Sequence, residues 1–217
     1  MKKHRLLSLF LSFALLLPLF ASFSAEAYED FTLDARAGLL IEADTGEILY
    51  EKNAHQENYP ASLTKIMTAL LVFEAIDEGK LSLSDSITAT ESAFEGLASD
   101  GSTADIVPGE TMTVEQLLNC MLIVSANETC NILGEYISGS VEAFVARMNE
   151  RATELGCEHT HFANATGLHN SQHYTTAWDL YLITREAMKH EKFMEICNSK
   201  SYTVPATNMT EKPRELH

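Results

Sequence analysis

Ser62 and Lys65 stand three residues apart in "NYPASLTKIMTALL" (Asn58 to Leu71), a hydroxyl and an amine that can meet on one face of a helix. A serine hydroxyl is a poor nucleophile until a base removes its proton. A lysine serves as that base only when burial or a nearby cation lowers its pKa. Lys65 lies among Leu63, Ile66 and Met67, residue types expected in a core, where an amine resists protonation. Ser62 falls at the expected helix N-terminus, where N–H groups and the dipole favour developing negative charge. A second pair, Ser125 and Asn127, sits in "VSANE" between two expected helices and can offer a hydroxyl and an amide to a shared cleft.

Neither pair is decisive alone. About one Ser-x-x-Lys is expected by chance in a chain this long. It also reads as an N-cap serine followed by a solvated lysine, and Ser125 and Asn127 also read as caps of the next helix.

The elements that must position these residues follow from periodicity. "AGLLIEADTGEILYEKN" predicts a hairpin, with Leu39–Ile41 and Ile48–Tyr50 flanking the turn residues Asp44, Thr45 and Gly46. A helix is expected to start near Ser62, with a stripe of Leu63, Ile66, Met67, Leu70 and Phe73, and to stop at Gly79. Residues 81–112 read as surface loop and short strand, turning at Pro108 and Gly109. Thr113 and Gln116 form a capping box ahead of Leu117, Leu118 and Met121, and a third helix leads to Tyr136. Ser140 caps a fourth helix with the stripe Val141, Phe144, Val145, Met148, Ala152 and Leu155, stopped by Gly156. After the loop "THFANATGLHNSQHYTT", Thr176 caps a helix to about Lys189, a shorter helix covers about 192–198, and "KSYTV" reads as a strand.

The leader is separate. Lys2, Lys3 and Arg5 precede an almost continuous apolar run from Leu6 to Phe20, then small residues Ala25 and Ala27. Residues 1–27 therefore read as a secretory signal peptide cut after Ala27, with 28–217 as the globular domain; an uncleaved anchor is the alternative. Either places the domain outside the cytoplasm.

The formal charge of the 217 residues is −16, and removing 1–27 deletes three basic residues and one acidic one, leaving −18. Such a surface repels nucleic acid and anionic lipid, so nucleic-acid binding is excluded. Cys120, Cys130, Cys157 and Cys197 lie in apolar or helical stretches without C-x-x-C spacing, and buried thiols and disulfides both remain open. His159, His161, His169 and His173 lack the carboxylate or cysteine spacing of a zinc site and read as surface histidines.

In this order, S-x-x-K and S-x-N resemble the first two elements of the serine penicillin-recognising enzymes, whose third is K-T-G. The longer stretches "GLLIEADTGEILYEKNAHQENYPASLTKIMTALL", "MLIVSANETCNILGEYISGS", "MNERATELGCEHTHFANATGLH" and "YTTAWDL" resemble the low-molecular-mass D-alanyl-D-alanine carboxypeptidases over nearly all of 37–217. The resemblance implies an α/β sandwich of the serine β-lactamase/transpeptidase type, a mostly antiparallel sheet flanked by helices. It implies Ser62 as acyl-forming nucleophile, Lys65 as general base, Ser125 as proton relay and Asn127 as contact for the substrate carbonyl. Peptidoglycan peptides ending in D-Ala-D-Ala and β-lactam antibiotics are the implied partners, with no metal or organic cofactor.

No Lys-Thr-Gly or Lys-Ser-Gly occurs in the 217 residues. The expectation is of a chain stopping before that strand, with the last sheet strands and the family's membrane anchor absent and activity accordingly in doubt. Two alternatives stand beside the enzyme reading. One is a non-catalytic cell-wall-binding member of the same fold. The other is a class A β-lactamase, whose E-x-x-L-N pattern is matched at Glu115–Asn119, but ahead of Ser125 where it should follow.

Overall fold

A computed structural model describes residues 33–217. The signal-peptide reading of 1–27 and the cut after Ala27 lie outside the described residues. Ala35–His217 forms one compact unit.

Antiparallel strands β1 (Gly38–Ile41) and β2 (Ile48–Lys52) form the expected hairpin, pairing Leu40 with Tyr50. A 3₁₀ turn at Ala61–Leu63 leads into α1 (Thr64–Asp77). Strands β3 (Ser86–Thr88) and β4 (Thr111–Thr113) pair with Ile87 opposite Met112. Helices α2 (Val114–Ile123), α3 (Asn127–Ser138), α4 (Val141–Glu154), α5 (Ala177–Ala187) and α6 (Glu191–Cys197) follow. Strands β5 (Tyr202–Val204) and β6 (Arg214–Leu216) close the order, with Thr203 opposite Glu215. All three strand pairs are antiparallel, but among the described residues they remain three separate two-stranded sheets.

Helix α1 organises the core. Its sequence TKIMTALLVFEAID is rich in good helix formers, and ten of its fourteen residues are buried. A single apolar stripe is the wrong description: α1 packs against α2, α3, α4 and α5, and buried residues surround its axis. Leu63, expected in the stripe, is 51% exposed because it belongs to the preceding 3₁₀ turn. The C-terminus is closed by Gly79, at φ +70°. Its N–H bonds to the Ile76 carbonyl and the Lys80 N–H to the Ala75 carbonyl, so two orphan carbonyls are satisfied.

The other caps form as their residues dictate. Thr113 accepts from the Gln116 N–H while the Gln116 side chain accepts from the Thr113 N–H. Ser140 and Thr176 each accept from the N–H three residues on. Phe144, Met148 and Ala152 of α4 are buried.

The C-terminal hairpin is tied to the β3–β4 lobe. Arg214 Nη2 meets both Glu110 carboxylate oxygens at 2.7 and 2.8 Å, with Glu110 fully buried. Asn208 bridges the Gly109 carbonyl and the Thr111 N–H. The three-residue β6 strand has no periodic signal of its own, so the sequence does not predict it. Leu40, Ile48 and Leu49 are exposed, and a groove of about 760 Å³ opens between β1, Leu63, Ile66 and α5.

Candidate active site

The two predicted pairs come together. Ser62 Oγ lies 3.4 Å from Lys65 Nζ and accepts a hydrogen bond from Ser125 Oγ at 3.0 Å. Lys65 Nζ donates to Asn127 Oδ1 and to the Thr166 carbonyl, both at 2.8 Å. Ser62 is exposed, whereas Lys65 is 3% exposed. That division suits a nucleophile that must be reached and a base that must stay dry.

Burial holds the Lys65 pKa below the ordinary lysine value, against the opposing influence of Cys130 and Glu128. Burial also pushes the Cys130 thiol up to about 12, so it is uncharged near neutrality. A neutral amine has two N–H donors and one lone pair. In that form Asn127 and Thr166 would take the two donors and the lone pair would be left for Ser62 Oγ, the third group within reach of Nζ. With Oδ1 turned to the amine, the Asn127 Nδ2 faces away, toward Gly101, where a Cβ would lie 2.7 Å from it.

Local backbone strain accompanies both serines. Ala61, immediately before Ser62, has φ +49°, and Ser125 has φ +60°. Non-glycine residues in this region cost about 1–3 kcal/mol each and persist where the surroundings enforce them. For Ser125 the surroundings are the Ala126 N–H bonded to the Cys120 carbonyl and the Asn127 N–H bonded to the Ser102 carbonyl. Neither Ser125 nor Asn127 caps α3 through its side chain, so the alternative capping reading fails.

The profile of the D-alanyl-D-alanine carboxypeptidase family (peptidase family S11) matches residues 23–214. The chain belongs to this family. It is 41% identical over 172 residues to the D-alanyl-D-alanine carboxypeptidase DacF of Bacillus subtilis, covering 79% of this chain and 43% of DacF. It is 32% identical over 192 residues to the D-alanyl-D-alanine carboxypeptidase of Streptomyces sp. strain K15, covering 85% of this chain and 65% of that protein. Among solved structures, penicillin binding protein 5 from Haemophilus influenzae superposes with a TM-score of 0.79 at 29% identity, over 87% of this chain and 54% of that one. The chain thus spans less than half the length of DacF, and the expected α/β fold of this peptidase class is present.

Several residues of this carboxypeptidase-family site had no signal in the motifs. Thr166 contributes a backbone carbonyl, which no side-chain pattern announces; "ATG" marks a turn but not its partner. His173 is a correction: expected at the surface, it is 2% exposed. Its Nδ1 accepts from the Ala163 N–H, so Nε2 carries the hydrogen and donates to Thr64 Oγ1 at 2.7 Å, two residues along the chain from Ser62. Glu128, also buried, accepts from the Ala104 N–H and from Thr103 Oγ1, which holds the 103–106 segment beside Asn127. The Glu115–Asn119 pattern is structural: Glu115 pairs with Lys192 at 2.6 Å and Asn119 bonds the Glu115 carbonyl. The four cysteines are all free thiols.

Proposed function

We propose that this chain carries the acylating half of a serine-type D-alanyl-D-alanine carboxypeptidase, acting on peptidoglycan peptides that end in D-Ala-D-Ala and acylated at Ser62 by β-lactams. The observation that carries the reading is the convergence of a buried lysine amine, held by Asn127 and the Thr166 carbonyl, on an exposed serine hydroxyl. Lys65 takes the Ser62 proton as Oγ attacks the carbonyl carbon of the penultimate D-Ala. The tetrahedral intermediate collapses with cleavage of the C–N bond. Ser125, hydrogen-bonded to Ser62 Oγ, is placed to pass a proton to the departing D-Ala amine. Water then hydrolyses the ester, returning the serine. Asn127 Nδ2, left free of Lys65, is the donor for a substrate carbonyl. The acting domain is 28–217, and the site of action is extracytoplasmic, after removal of 1–27. Among the described residues no helix is long and apolar enough to cross a membrane.

The test is intact-mass analysis of the chain after exposure to benzylpenicillin, beside Ser62→Ala. One adduct, lost in the variant, supports the reading. Peptide binding without an adduct and without D-Ala release, from folded protein, would favour the non-catalytic wall-binding alternative.

A further inference from the structure

The strap between α4 and α5 passes over the buried amine, and one side chain shapes it. Asn164 Oδ1 accepts three hydrogen bonds: from the Thr166 N–H at 3.1 Å, Thr166 Oγ1 at 3.0 Å and the Gly167 N–H at 2.8 Å. Its Nδ2 donates to the Leu168 carbonyl at 2.8 Å. The side chain therefore holds four points of the turn 166–168 from its concave side. That turn directs the Thr166 carbonyl inward to Lys65, and Thr166 itself is 2% exposed.

The strap is anchored elsewhere without help from Asn164. Thr68 Oγ1 donates to the Ala165 carbonyl, and Asn149 bonds both the N–H and the carbonyl of Phe162. Removing the Asn164 amide thus releases the turn while Phe162 and Ala165 stay attached. The groups facing Lys65 are Glu128 and Cys130 from α3; His173 meets the strap at Ala163 and α1 at Thr64.

We propose that Asn164 is a positioning residue for acylation: its side chain folds the turn that aims the Thr166 carbonyl at Lys65 and keeps water from the amine. The inference rests on the reading of Lys65 as the base, but its geometry can be tested apart from that reading. A turn held on the amine serves two ends. It occupies one N–H, so that the lone pair faces Ser62, and it maintains the burial that disfavours the ammonium. When the turn opens, water reaches Nζ, the ammonium becomes easier to form, and less free base is present at neutral pH.

The experiment compares the full chain with Asn164→Leu, similar in size without polar atoms, and Asn164→Ser, whose hydroxyl can rebuild a weaker turn of the same kind. Two readouts are taken: the rate of benzylpenicillin acylation against pH, and Lys65 ionisation followed by NMR on chain labelled at lysine Cε, assigned with Lys65→Arg. In Asn164→Leu the Lys65 titration and the acid limb of the rate profile are expected to move up by about one pH unit or more. By the log-linear dependence of free base on pH, that lowers the rate near neutrality about tenfold. Asn164→Ser recovers part of both. A folded Asn164→Leu protein with unmoved titration and limb overturns the proposal, even if its melting temperature drops, because Asn164 would then be structural only. A wild-type chain that is not acylated, yet whose Lys65 titration moves in Asn164→Leu, removes the catalytic reading and leaves the positioning role standing.

Discussion

A Cβ on Gly167 would stand 1.9 Å from the carbonyl oxygen of Ala61, the residue before Ser62. Gly167 also has φ +90°, and Ala61 itself is at φ +49°. The strap and the 3₁₀ turn that carries Ser62 therefore touch backbone to backbone, each in a conformation that side chains disfavour.

Gly167→Ala is accordingly expected to push the 3₁₀ turn away from the strap. Overpacking against backbone together with an unfavourable φ sets the cost at about 3 kcal/mol. Acylation by benzylpenicillin should fall at least tenfold beyond what the unfolded fraction explains, because Ser62 moves relative to Lys65. Chemical denaturation and acylation rate on the same sample check it; a variant of normal rate and stability would mean the contact relaxes freely.

His173 makes stability sensitive to acid. Burial, with a smaller contribution from His161, lowers its pKa from 6.5 to about 4. Above pH 6.5 neither the folded nor the unfolded chain is protonated at this residue, and it contributes no slope. Between pH 6.5 and about 4 the unfolded chain takes the proton and the folded chain does not, so stability falls as pH falls, by about 1.4 kcal/mol per unit for this one group. Urea unfolding at pH 7 and pH 5 should show a drop that is reduced in His173→Gln, although that variant begins less stable. Equal drops in the two proteins would show that His173 does not titrate in this window.

Arg214 and Glu110 predict a non-additive pair. Arg214→Met leaves the buried Glu110 carboxylate with Thr207 Oγ1 and the Val107 N–H alone, and is expected to cost about 3–5 kcal/mol. The double variant Glu110→Met, Arg214→Met should cost less than Arg214→Met by itself, since no charge is left unpaired. Denaturation midpoints of wild type, single and double variants decide it, and simple additivity would show that the pair is not coupled.

The legibility of this chain divides along physical lines. Caps are local events, and Thr113, Ser140, Thr176 and Gly79 act as their residue types predict. The pairing of Ser62 with Lys65 is also local, a matter of three residues along one helical turn. Ser125 and Asn127 reach that site only through tertiary packing, to which the family resemblance points and their spacing does not. Thr166 was out of reach because its contribution is a carbonyl shared by every residue type. His173 was misplaced because a polar ring in a polar loop reads as solvated, whereas two hydrogen bonds satisfy it in the interior. The single stripe assigned to α1 failed for a related reason: periodicity describes a helix with one dry side, and this one has dry neighbours around it.

The all-round burial of α1 has a practical meaning for anyone preparing this protein. Lys65 is buried on α1 against Asn127 of α3 and the Thr166 carbonyl, so a chain in which either is undocked leaves the amine wet and Ser62 without its proposed base. A fluorescent penicillin that labels Ser62 would therefore count the molecules in which both are docked, one by one. The labelled fraction of a preparation would report its refolding yield, in a way that far-UV ellipticity, satisfied by helices formed in isolation, would not.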